Sequence, residues 1–354
     1  MQFTPARKGL TFFLALLASA SGDPVAATAL SWRWRPLPSL PDPEGFSGGF
    51  AGVSGGVLLF AGGSNFVGKR PWEGGVKQWY DAVYALSGPE GQWLAVGRLP
   101  RPNGYGVSVT YQDELIIAGG GSLRENFAEV FAFRWDGREL HRRSLASLPR
   151  RCADCAGAIV GDTLYVAGGI DRPDAGYAMR NFWSLDLGRP GATWRVLQAF
   201  PGVARLFPVA GASGGRFYLM SGEAIRPNGA ERPFRIFLTD AYAYTPDQGW
   251  RRMADLPHSD TGALSPAPVT SDGKILIVSG DDGTRITLDG PHHPGFRRDG
   301  ILYDPAADRW TAVPECPISR SNVPTTFWRG LWILPGGERK PGYRSHEVWD
   351  LKLP

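Results

Sequence analysis

Leu58-Leu59-Phe60-Ala61-Gly62-Gly63 is an apolar run closed by two small residues, and the same phrase returns five times along the chain. The other copies are Leu115-Ile116-Ile117-Ala118-Gly119-Gly120, Leu164-Tyr165-Val166-Ala167-Gly168-Gly169, Phe217-Tyr218-Leu219-Met220-Ser221-Gly222, Ile275-Leu276-Ile277-Val278-Ser279-Gly280 and Leu331-Trp332-Ile333-Leu334-Pro335-Gly336-Gly337. Their last glycines lie 57, 49, 53, 58 and 57 residues apart. A fixed period of this size marks one supersecondary unit repeated along the chain, and the length suits about four short strands.

Outward from each phrase the unit fills in. A variable loop follows, then an aromatic-rich strand: Val83-Tyr84, Val130-Phe131, Phe182-Trp183, Ala241-Tyr242, Leu302-Tyr303 and Val348-Trp349. A Trp-led strand comes next at Trp93, Trp194, Trp250 and Trp310, while the second unit has Leu140 nearest that place. An apolar-Pro corner ends the unit at Leu99-Pro100, Leu148-Pro149, Phe200-Pro201, Leu256-Pro257 and Cys316-Pro317. Composition agrees with many short strands and turns: 47 Gly, 30 Pro and 13 Trp, with no long helical period after residue 30.

Four strands with Gly-Gly after the second and Trp on the fourth resemble the kelch repeat, whose units are blades of a β-propeller. Six phrases then imply an all-β, six-bladed propeller. The sixth unit stops at Pro354 after its third strand, and the missing Trp strand lies at the other end, in Ser31-Trp32-Arg33-Trp34-Arg35-Pro36-Leu37. The N-terminal strand is therefore expected to pair into the C-terminal blade and close the ring, leaving no sheet edge exposed. Residues 30–354 are expected to form this single domain.

Ahead of it, Arg7 and Lys8 precede the apolar run Leu10 to Leu17, and Ala18-Ser19-Ala20 or Ala27-Thr28-Ala29 offers a cleavage site. Residues 1–29 thus read as a secretory signal cut near 20 or 29, too short to span a bilayer, and the mature protein is expected in the periplasm or secreted, without membrane insertion. Net charge is +4, or +2 without Arg7 and Lys8, which gives no reason to expect nucleic acid. Of three cysteines, Cys152 and Cys155 have CxxC spacing but no second pair, so packing is the favoured role and a disulfide the lesser one. Adjacent His292 and His293 in a loop point in different directions, which favours a surface loop over a metal site.

The loops after the doublets emerge at one end of the ring, and their first residues read Asn65, Gly121, Asp171, Glu223, Asp281 with Asp282, and Glu338, so four of six carry an acid. Trp72 and Glu73 in the first loop add an aromatic face and a carboxylate, as carbohydrate sites do. In the sixth, Gly337-Glu338-Arg339-Lys340-Pro341-Gly342-Tyr343-Arg344-Ser345 sets a carboxylate and a guanidinium six residues apart about a Pro-Gly turn.

That loop, with Gly48-Gly49-Phe50-Ala51-Gly52-Val53, Phe60-Ala61-Gly62-Gly63 and Tyr105-Gly106-Val107-Ser108, resembles the bacterial N-acetylneuraminate mutarotases, in a cyclically permuted branch. The resemblance implies Glu338 and Arg344 as the catalytic pair of an isomerase that interconverts sialic acid anomers by acid/base ring opening. It departs from the family at Ser345-His346-Glu347-Val348, where a Thr-Asp pair is common. Asn65, Trp72, Glu73, Tyr105, Glu223 and Asp281 are the expected substrate contacts. The partner is a small sugar acid, and this chemistry requires no metal or organic cofactor. A non-catalytic glycan-binding propeller would share every fold feature. A copper oxidase on the same blades would need convergent Tyr, His and Cys ligands, and the chain has five His in no such arrangement.

Overall fold

Each repeated phrase forms the second strand of an antiparallel sheet in the computed structural model, which describes residues 32–229, 231–288 and 290–354. The expected signal segment lies outside the described residues. Blade 1 is built from Phe50–Ser54, Val57–Ala61, Ala82–Leu86 and Trp93–Arg98 in that order. Blades 2 to 4 repeat the order, with second strands Glu114–Ala118, Thr163–Ala167 and Arg216–Met220. In blade 5 the first strand shrinks to a bridge between Val269 and Ile275, ahead of Ile275–Val278, Gly300–Asp304 and Arg309–Val313.

Blade 6 takes three strands from the C-terminus, Thr326–Trp328, Leu331–Pro335 and Val348–Lys352, and its fourth, Arg33–Leu37, from the other end. The register runs from Arg33 opposite Lys352 to Leu37 opposite Val348. Six blades close the ring, as the repeat count requires, and Trp32–Pro354 is one compact unit.

The core is divided into wedges between neighbouring blades. Phe50, Leu59 and Val83 of blade 1 pack on Leu115, Ile117 and Phe133 of blade 2, and Leu37, Val348 and Ile333 of blade 6 pack on Leu58 and Phe60 of blade 1. The outer-strand tryptophans also stitch blades together. The indole N–H of Trp93 donates to the Pro38 carbonyl at 2.8 Å, that of Trp194 to Ala146 at 2.8 Å, and that of Trp310 to Ala254 at 2.9 Å, each carbonyl lying in the connection that leads into the Trp's own blade. An indole there fills the wedge and satisfies a carbonyl no sheet would reach.

An inner ring that sequence patterning did not reveal sits at the axis. Gly48, Tyr105, Asp154, Phe207, Gly262 and Asn322, one per blade, all have left-handed backbone, with φ of 65°, 60°, 54°, 50°, 62° and 56°. The amide of each donates to the carbonyl of the one before: Tyr105 to Gly48, Asp154 to Tyr105 and Phe207 to Asp154 at 2.7 Å, Gly262 to Phe207 at 3.0 Å, and Asn322 to Gly262 at 2.6 Å. Gly48 closes the circle on Asn322 at 3.1 Å. Glycine and asparagine accept this conformation readily, whereas Tyr105 and Phe207 hold it at a cost of order 1 kcal/mol or more each. Their side chains lie at the floor of the cavity described next.

Candidate active site

The residue directly after each doublet is pinned by a reciprocal pair of backbone hydrogen bonds to the residue preceding the inner-ring position. The six pairs are Ser47 with Ser64, Gly104 with Gly121, Ala153 with Ile170, Leu206 with Glu223, Thr261 with Asp281, and Ser321 with Glu338. Glu223, Asp281 and Glu338 are therefore equivalent positions whose direction is set by the fold. Asn65 and Asp171 are not equivalent to them: the converging residues of blades 1 and 3 are Ser64 and Ile170, one earlier. In extended chain a shift of one residue turns the side chain to the other face. Asp171 accordingly meets Arg150, Arg172 and Tyr177 away from the axis, and Asn65, fully buried, donates to Gly45 and Asp42 and accepts from the Tyr80 hydroxyl. Three loops, not four, turn an acid inward.

These acids share a cavity of about 330 Å³ whose lining includes Lys77, Tyr105, Glu223, Asp281, Glu338 and Arg344. Glu338 and Arg344 face each other directly across the small hairpin of Glu338–Lys340 and Tyr343–Arg344. Arg344 Nη1 donates to Glu338 Oε1, and the Gly342 amide donates to the same oxygen at 3.0 Å. The turn thus presents the carboxylate as well as reversing the chain. Arg344 is 4% exposed, its guanidinium carbon lies 5.0 Å from the centre of the Phe66 ring, and its Nε has no hydrogen-bond partner among the described residues. A guanidinium on a cavity wall that spends part of its five-donor fork on one carboxylate keeps donors for an acceptor from outside the chain.

Electrostatics divides the groups. Burial works against the Arg344 charge, but Glu338 and Tyr105 outweigh it and raise its pKa. Burial pushes the Tyr105 phenol up, yet Lys77 and Arg344 more than offset this and pull it below its ordinary value. Glu223 is raised to about 7 by burial, against the pull of Arg235 and with reinforcement from Asp281 and Asp154. Asp281 is likewise raised by burial, despite the Gly283 amide.

Of the remaining sequence candidates, Trp72 does not line the cavity: it lies 5.6 Å from the Tyr343 ring and packs on Gly342 and Gly290, where a Cβ would strike its indole. Glu73 does not line the cavity; its carboxylate caps the Arg70 amide at 2.7 Å on an exposed turn. His293 is buried rather than on the surface, its Nδ1 accepting from the Gly295 amide. Ser345, His346 and Glu347 do not line the cavity: Glu347 pairs with Arg320, and His346 Nδ1 meets the Pro43 carbonyl at 3.0 Å. Cys152 is a buried free thiol whose Sγ donates to Gly168, and no group of three or more His, Cys, Asp or Glu among the described residues is placed to hold a metal.

The family model for N-acetylneuraminate epimerase matches residues 17–141 and 145–286. The chain belongs to that family. Among similar proteins, N-acetylneuraminate epimerase of Yersinia pestis (strain Pestoides F) is 33% identical over 153 residues, 36% of this chain and 38% of that protein. The Haemophilus influenzae (strain 86-028NP) epimerase is 37% identical over 128 residues, 32% of this chain and 34% of that one. The Salmonella arizonae epimerase is 44% identical over 98 residues, a quarter of each chain. Less than two fifths of each relative's length is thus matched. The solved structure of YjhT superposes with a TM-score of 0.64 over 88% of this chain and 96% of that one at 16% identity, a likeness of fold. The segment of this epimerase-family chain matched by the family model ends before the Glu338–Arg344 hairpin, so the hairpin's role rests on its geometry and on the motif resemblance.

Lys77, which lines the cavity, and Asp154, whose charge acts on Glu223 from the inner ring, were not legible in the sequence. Lys77 comes from the long first loop and places its Nζ 5.0 Å from the centre of the Tyr105 ring. Asp154 belongs to the inner ring, and a signal for that ring does exist: its members stand fifteen residues before the last residue of the doublet in five units and eighteen before it in blade 5.

Proposed function

We propose that the protein is an isomerase that interconverts the α and β anomers of N-acetylneuraminate, a small sugar acid. The observation that carries this reading is the Glu338–Arg344 pair on the wall of one cavity, with the carboxylate held by both the guanidinium and the Gly342 amide. Family membership supports the substrate class. Anomer exchange in a keto-sugar acid requires the hemiketal to open: a base removes the anomeric proton, the ring oxygen is protonated, the carbonyl rotates, and the ring closes on its other face. Glu338 serves as the base. Arg344 holds the substrate carboxylate, with the Lys77 ammonium as a second cation lining the same cavity.

The test follows exchange between the anomers by NMR saturation transfer. Wild-type protein should accelerate exchange well above the buffer rate, and Glu338→Gln, still folded, should return it to that rate. Binding of the sugar acid without acceleration would instead make this a glycan-binding propeller and overturn the proposal. We further propose export with cleavage near residue 20 or 29, for which N-terminal sequencing of the mature protein is the check; a mature chain that begins at Met1 would refute it.

A further inference from the structure

We propose that Glu223 is the proton donor to the ring oxygen, acting as the acid opposite Glu338. The inference rests on the isomerase reading above and extends it to a residue outside the Glu338–Arg344 pair. Opening a hemiketal in one step needs two groups on different oxygens, one taking a proton while the other gives one. Glu338 is arranged to accept: its Oε1 takes hydrogen bonds from both Arg344 Nη1 and the Gly342 amide.

Glu223 occupies the equivalent post-doublet position two blades away, lines the same cavity, and is pinned by the same reciprocal bridge, to Leu206. The two carboxyl groups therefore approach one bound sugar from different sides of the ring of blades. Glu223 is 8% exposed, and it is faced by Arg235 Nη1 at 3.0 Å on its own hairpin, by Asp281 from blade 5 and by Asp154 from the inner ring. Two acids against one cation leave a buried carboxyl that holds its proton up to about pH 7.

The step balances without a co-reactant. Glu338 removes the anomeric hydroxyl proton, that O–H pair becomes the second bond of the carbonyl, the bond from the anomeric carbon to the ring oxygen breaks, and the ring oxygen takes the Glu223 proton. After rotation of the carbonyl the ring hydroxyl attacks, returning its proton to Glu223 as Glu338 returns its own to the new anomeric oxygen.

The experiment measures N-acetylneuraminate exchange from about pH 5 to about pH 9 for wild type, Glu223→Gln, Tyr105→Phe and Arg235→Met, with sugar binding measured alongside. Glu223→Gln should bind within about threefold of wild type, exchange about a hundredfold more slowly, and lose the fall in rate at alkaline pH that reports loss of the donor's proton. Arg235→Met, which removes the cation favouring the charged form, should move that fall to higher pH. Exchange by Glu223→Gln within about threefold of wild type, an unmoved limb in Arg235→Met, or an alkaline limb abolished by Tyr105→Phe instead would each overturn the assignment. These failures leave wild-type exchange intact, whereas failure of the isomerase reading removes it.

Discussion

Arg344 can donate five N–H hydrogens in a fixed fork, and only part of that capacity is used inside the chain, by Glu338 and the Tyr105 hydroxyl. Lysine would keep the charge and lose the fork, so Arg344→Lys should weaken sugar-acid binding by about 2 kcal/mol, roughly thirtyfold, in an NMR or calorimetric titration. Unchanged affinity would mean that the carboxylate sits elsewhere. Glu223 makes a second prediction, on stability. Its folded-state pKa of about 7 lies above its ordinary 4.5, so between those values the folded state keeps a proton that the unfolded chain has released. Stability from this group is therefore greatest at low pH and falls as pH rises from 4.5 towards 7. Glu223→Gln should melt higher than wild type near pH 8 and show little advantage near pH 4, as followed by thermal denaturation; an equal gain at both would exclude the linkage.

At the scale of elements, the doublet turns orient the chemistry. Gly337 has φ of +97°, and a Cβ there would come within 2.5 Å of Val323 Cγ2. Gly337→Ala should cost about 2 to 3 kcal/mol in denaturant unfolding and slow exchange through displacement of Glu338, which follows it directly. By contrast, serine is tolerated at the first doublet position, where Ser221 and Ser279 adopt φ of 54° and 62° and bond neighbouring carbonyls through their hydroxyls. Such turns were legible in sequence because their backbone demands a small residue, and blade count and ring closure followed from them. The phase of the loops was less legible. Asn65 and Asp171 are polar and close to the doublet, but whether a loop residue faces the axis depends on its pairing with Ser47 or Ala153, residues some seventeen positions upstream. Trp72 and Lys77 depend on how a long loop folds over its neighbours, which no local pattern encodes.

The whole molecule depends on its two ends meeting. Six blades share one closed circle of hydrogen bonds at the axis, from Gly48 round to Asn322, so an opening at any seam loosens the frame that aims Glu223, Asp281 and Glu338 at a common point. The seam between Arg33–Leu37 and Val348–Lys352 has no chain connection across it within the blade, and an ion pair marks it: Arg35 donates to Asp350 Oδ2 through Nε at 2.8 Å and Nη2 at 2.7 Å. The partners differ in burial. Asp350 is 0% exposed and its Oδ1 has no hydrogen-bond partner among the described residues, while Arg35 is half-open to solvent. Removing the arginine strands a buried carboxylate, whereas removing the carboxylate leaves a cation that water can reach. Arg35→Ala should therefore cost about 3 kcal/mol, more than Asp350→Asn. Urea unfolding of both variants near pH 7 measures this. No loss in either variant would mean that the strand ladder and the Trp-lined wedge alone hold the ring shut.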